Sequence, residues 1–166
     1  MGFKTRLFRN YGSDATIVSN SVMDKIRAIS LWQPWAGGIA LGIKTQETRP
    51  WATNVRGDIV ICSTQKKVHQ DLYPKNYQEI WKQSFIKDRE LLEIKGHALC
   101  IVEIYDCVSS NDPAMINSPE TELMWGDYSP NRYIWLTRNL RRIEPVPVKG
   151  SQGFFFIDKG IIKEIT

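Results

Sequence analysis

A chain of 166 residues suffices for one hydrophobic core and is short for two, since domains run to roughly 100 to 200 residues. Hydrophobic residues at 42% and charged residues at 24% exclude wholesale disorder and a fibrous repeat. The net charge of +4, from 22 basic against 18 acidic side chains, permits attraction to a polyanion without establishing it.

Residues 1–22 lack periodicity and read as an irregular arm, with Lys4, Arg6 and Arg9 against Asp14 supplying half of the excess charge; residues 23–166 read as the domain, and Met23 offers an alternative start. IRAISLW, from Ile26, predicts a strand, and Pro34 sits where the first turn of a helix tolerates proline. The helix PWAGGIALG ends at Gly42, and Gly37 and Gly38 within it allow another backbone, or a ligand, to come close. If KTQETRPW is extended, Thr45, Glu47 and Arg49 share one side and Lys44 lies at the bend. GDIVIC (57–62) predicts a buried strand. Residues 73–94, with Tyr77, Ile80, Trp81, Phe85 and Leu92 near helical spacing, predict one amphipathic helix.

GHALCIVEIYDC (96–107) is the clearest strand. A polar loop runs from Ser109 to Glu122, with Pro119 placed to open a helical turn. RYIWLTR predicts another strand, and PVPVKGSQGFFFID a proline-stiffened lead, a glycine turn and a last strand. Five or so strands with two or three helices, without βα alternation, give an α+β domain rather than a doubly wound sheet.

No apolar run approaches the roughly 18 to 20 residues that span a bilayer, and the first residues lack a secretory signal, so the expectation is a soluble, cytoplasmic protein without membrane partners. Cys62, Cys100 and Cys107 are odd in number and lie in apolar runs, which favours reduced thiols. His69 and His97 are not at metal-ligand spacing and no C-x-x-C pair exists, so neither metal nor cofactor is expected. Phosphate-loop and serine-elbow motifs are missing too.

Chemical information concentrates between Ser30 and Trp51, where three indoles, a short capped helix and Lys44, Glu47 and Arg49 crowd together. The order S-L-x-Q-P-W, short helix, G-I-K-T-x-E-x-R resembles the opening signature of the ASCH domain, a relative of the RNA-binding PUA domains. GDIVIC, GHALCIVEIYDC and PVKGSQGFFFI match later features, and the resemblance spans about residues 26–158. It implies a small PUA-like β-barrel flanked by short helices, with a cleft beside the charged string. In such a cleft a carboxylate accepts from a base amino group, arginine presents a planar fork to phosphate or a base edge, and lysine is a compact charge. Trp32, Trp35 or Trp51 would stack on an unpaired base, and Gln33 would add a base-edge hydrogen bond. The plainer alternative is a solvated ion-pair face with tryptophans in the core, and Trp81 and Trp135 are assigned to packing.

The leading expectation is therefore binding of RNA or a nucleobase, with Gln33, Trp32, Trp35, Lys44, Glu47 and Arg49 as contacts. Hydrolysis is the alternative. Some small ASCH proteins deacetylate acetylated cytidine with a lysine, a threonine and a glutamate, and others are linked to RNA cleavage. Lys44 matches the lysine; Glu47 occupies the threonine's place, with Thr45 and Thr48 beside it, and Glu103 is a guess for the glutamate. An amidohydrolase or ribonuclease would use Lys44 and Glu47 as catalytic candidates, Lys44 as a base or Glu47 activating water. A third reading is a protein-interaction module using exposed tryptophans, with its partner unknown. Lys66 with Lys67, and Arg141 with Arg142, are ordinary solvated pairs unless they flank the cleft, where they would track a phosphate backbone.

Overall fold

The computed structural model describes residues 24–114 and 118–165, so the arm expected at residues 1–22 lies outside the described residues. In chain order the elements are β1 (Lys25–Leu31), α1 (Trp35–Ala40), β2 (Gln46–Arg49), β3 (Gly57–Ser63), α2 (Tyr77–Gln83), α3 (Ile86–Glu93), β4 (His97–Ser109), α4 (Glu120–Met124), β5 (Tyr133–Pro147) and β6 (Phe154–Asp158). They form one curled six-stranded sheet, a half-barrel, in the order β2-β5-β4-β3-β1-β6. β1 and β3 run parallel and every other pair is antiparallel. Register shifts at three places between β4 and β5, and one between β3 and β4, mark irregularities of the kind that bend a long strand pair into a curl.

The centres of β3 and β4 are buried on both faces, which explains why these strands read as apolar runs and not as alternations. Ile29, Ile59, Ile61, Leu99 and Trp135 pack on one side with Ile39 of α1. Their neighbours Ala28, Val60, Cys62 and Ala98 face a second cluster with Ile143 and Ile157. Burial pushes the Cys62 thiol up to about 12 and raises that of Cys100, and all three cysteines are free.

The single helix expected over 73–94 is two. Ser84 and Phe85 are extended, and the Ser84 hydroxyl donates to the Ile80 carbonyl at 2.7 Å, ending α2. Arg89 fixes the break by donating to the Ser84 and Lys82 carbonyls at 3.0 and 2.9 Å while its guanidinium covers the Trp81 ring. The strand expected at RYIWLTR continues to Pro147 because β4 pairs with it along this whole length. Among the described residues no helix is long and apolar enough to cross a membrane.

The two glycines of α1 serve close packing. A Cβ on Gly37 would stand 2.2 Å from the Leu91 carbonyl oxygen of α3, and one on Gly38 would stand 2.4 Å from the Trp125 ring. Gln33 braces the same junction: its side-chain amide donates to the Leu91 and Ile94 carbonyls at 2.8 and 2.7 Å, and its oxygen accepts from Gly37 N–H at 2.9 Å.

Candidate functional site

The end of α1 delivers Lys44. Gly42 adopts φ +72°, and the Ile43 and Gly42 N–H groups close on the Gly38 and Ile39 carbonyls at 2.9 and 3.0 Å, the paired bonds of a glycine-terminated helix. Lys44 N–H adds a 3.1 Å bond to Gly38, and the side chain then turns inward until it is 1% exposed. A buried ammonium is costly unless it is both paired and hydrogen-bonded. Here Nζ donates to the Gln46 carbonyl and lies 3.3 Å from Glu47 Oε2.

β2 supplies the rest of the cluster. Glu47 and Arg49, two residues apart, both reach the same cavity, and Glu47 Oε1 lies 3.0 Å from Arg49 Nε. That approach is an ion pair without hydrogen-bond alignment. The Arg49 guanidinium rests on Trp51 and Trp135, 5.2 and 5.8 Å from their ring centres, and among the described residues neither Nη atom meets an acceptor. Its fork is held by aromatic surface and is free of acceptors among the described residues.

A second carboxylate, Glu122 of α4, holds the turn before β2. It is 4% exposed and accepts from Thr45 N–H, from the Thr45 hydroxyl and from Gln46 N–H. The Gln46 side-chain oxygen in turn accepts from the Tyr128 hydroxyl at 2.9 Å and from Ser118 at 3.2 Å. Burial, with the Glu122 and Glu47 carboxylates nearby, raises the Tyr128 hydroxyl above the ordinary phenol range. Thr48 Oγ1 accepts from Asp127 N–H at 2.9 Å, and Arg132 lies 3.2 Å from the Asp127 carboxylate. Hydrogen bonding from Ser129 holds that carboxyl below its usual range against the effect of burial, with Arg132 adding to the lowering.

Of these groups, Lys44, Glu47, Thr48, Arg49, Asp127 and Arg132 line a cavity of about 860 Å³, and Glu122 and Tyr128 brace it from behind. Trp32, Trp35, Tyr73 and Trp125 give it aromatic surface; Lys44, Glu47 and Arg49 sit within it, joined by Asp127, Arg132 and Lys75. Aromatic walls with a few converging polar groups are the usual makeup of a small-molecule pocket, and the volume is in the usual range of about 300 to 1,000 Å³. Of the expected contacts, Trp32, Trp35, Lys44, Glu47 and Arg49 line the cavity. Gln33 does not: its polar atoms are spent on α1 and α3. Trp51 stands outside the lining, edge-on to Trp135 and under Arg49. Glu103 is also outside it, bound by Arg138 and Asn139. The Thr45 and Thr48 hydroxyls are engaged by Glu122 and Asp127 N–H. Sequence reasoning missed Glu122, Asp127, Arg132 and Tyr73, whose places depend on contacts across dozens of residues.

A curled half-barrel with a few short helices is a PUA-like fold. The ASCH domain family model matches residues 29–147, and the chain belongs to that family. Its structure is similar to the crystal structure of ASCH from Zymomonas mobilis, at 15% identity and a TM-score of 0.53, over 84% of this chain and 97% of that one. A tyrosine-to-phenylalanine variant of the Zymomonas mobilis protein gives 15% identity and a TM-score of 0.51, over 82% of this chain and 98% of that one. No curated protein matches the sequence.

Proposed function

We propose that the cleft binds a base, presented by RNA or as a free nucleobase or nucleoside. The observation that carries this reading is the pairing, inside one aromatic cavity, of an acceptor-only carboxylate at Glu47 with the unoccupied donor fork of Arg49. A base edge carries donors beside acceptors, and its flat face suits an indole wall. Lys44 fixes the Glu47 carboxylate from beneath. Its amine is already committed to Glu47 and to the Gln46 carbonyl, so its role is to position the acceptor, which favours binding over turnover.

The test is calorimetric titration with the four nucleosides, their 5′-monophosphates and N4-acetylcytidine, with the same mixtures followed by chromatography. We expect saturable binding of at least one ligand, weakened about tenfold or more by Trp35→Ala, because stacking contributes roughly 1 to 3 kcal/mol per base. Arg49→Ala removes the donor fork and weakens the same ligand. Equal binding by wild type and both variants would overturn the reading. Turnover lost in Lys44→Ala would replace it with the hydrolytic one.

A further inference from the structure

One wall residue of the cleft, Ser30, backs onto a second, smaller groove. Ser30 lines the main cavity, and its buried hydroxyl has no partner among the described residues. Gly150 lies directly against it: a Cβ there would stand 2.6 Å from Ser30 Oγ. Gly150 also lines a groove of about 430 Å³ together with Gln65, Gly96, Pro147, Val148 and Lys149. Backbone bonds tie its walls together, with Val148 N–H on the Gly96 carbonyl at 2.9 Å and Gly96 N–H on the Ser63 carbonyl at 3.0 Å. Gly96, at φ +69°, is crossed by the Gln65 amide, which would lie 1.9 Å from any Cβ.

Arg56, Arg132, Arg138, Arg141 and Arg142 are each held by a carboxylate, and the last two are thereby spent away from the cleft on Asp58, Glu164 and Asp88. Lys66 and Lys149 are exposed and, among the described residues, have no carboxylate in ion-pair range. Lys66 is held differently, its Nζ 4.4 Å from the centre of the Trp32 ring. Trp32 itself is 42% exposed at the mouth of the main cavity.

We infer that the second groove holds the phosphate next to the bound base, so that the ligand is a single-stranded polynucleotide and not a free nucleoside. Lys149 and Lys66 contact the backbone, and Trp32 stacks on the neighbouring base between the two cavities. Lys149 on the groove wall and Lys66 over the Trp32 ring set cations beside an indole, the combination by which proteins follow an unpaired strand. This inference rests on the base-binding reading of the main cleft.

The experiment compares a mixed-sequence RNA pentanucleotide pool with the nucleosides and 5′-monophosphates, on wild type and on the Lys66→Ala, Lys149→Ala double variant. We expect the pentanucleotides to bind about tenfold or more tighter than any monomer, with affinity falling as salt rises. The double variant should lose that gain and flatten the slope of log affinity against log salt by about 1.4, or roughly 0.7 per lost phosphate contact, while binding of the phosphate-free nucleosides stays unchanged. A deoxyribose pool run in parallel decides whether RNA or DNA is the preferred strand, and preference for either upholds the groove. Monomers binding as tightly as pentanucleotides, or a double variant that keeps both gain and slope, would overturn the inference and leave the main cleft standing. If no probe of either size binds, both readings fall together.

Discussion

Two carboxylates on this sheet each hold an arginine, and their surroundings make them energetically different. Glu103 on β4 has the better hydrogen bonds: Arg138 grips it at 2.7 and 3.0 Å and Asn139 at 2.6 Å, with the Arg138 guanidinium over the Tyr105 ring. Glu47 on β2 has a 3.0 Å contact with Arg49 that lacks alignment and a 3.3 Å contact with Lys44. Yet Arg138 is 56% exposed and water competes for it, whereas Lys44 at 1% has no solvent to fall back on. The quality of an ion pair's geometry and its hold on stability are separate quantities. An exposed pair contributes little, while breaking a buried one strands a charge.

The largest effect should come from stranding Lys44. Glu47→Ala leaves an ammonium with a single carbonyl partner in the interior, and we expect a loss of about 3 to 5 kcal/mol in urea unfolding. Lys44→Met removes the charge along with its need for a partner and fills similar volume, while Glu47 retains Arg49; the loss should stay under ~1.5 kcal/mol. Equal losses in the two variants would mean that the pair contributes symmetrically and that burial does not govern it. Glu122→Ala comes next, at about 2 kcal/mol, because it orphans the Thr45 and Gln46 N–H groups, of which the first lies on an exposed residue and is partly recovered by water. The same variant frees the turn that aims Lys44 and Glu47, so base binding should weaken with it.

What could be read from the sequence follows the same division between local and distant causes. The cluster was legible because all of its parts are local: a glycine-ended helix sets Lys44, and a two-residue strand spacing sets Glu47 beside Arg49. β3 and β4 were legible because burial on both faces leaves apolar runs. Glu122 was hidden, since a glutamate in a polar loop looks solvated until it is seen to meet donors 77 residues away. Gln33 misled because the motif around it is real, but its amide is spent on carbonyls of α3 and just beyond it, 58 and 61 residues distant. The break between α2 and α3 was masked by apolar spacing that runs across it. Phe85, counted in that stripe, is 83% exposed, and the break depends on Ser84 and Arg89 serving carbonyls.

The smallest effect belongs to the better-formed pair, and pH reports on it. The hydrogen bond from Arg138 holds the Glu103 carboxyl below its usual range against the opposing effect of desolvation, with the Arg138 charge and Asn139 adding to the lowering. A carboxyl depressed in the folded state contributes stability above its unfolded-state pKa and loses that contribution as pH falls through the folded value. Carboxyl NMR titration should therefore place Glu103 below ordinary glutamates in the wild type and return it to them in Arg138→Ala. Glu103→Gln should leave the neutral-pH melting midpoint nearly unchanged although it removes the charge and replaces one acceptor oxygen with a donor, and any remaining difference from wild type should vanish below the folded-state pKa. A drop in midpoint as large as that of Glu47→Ala would show that the outer sheet face is shielded from water in solution, and the contrast drawn from exposure would then have to be sought in packing instead.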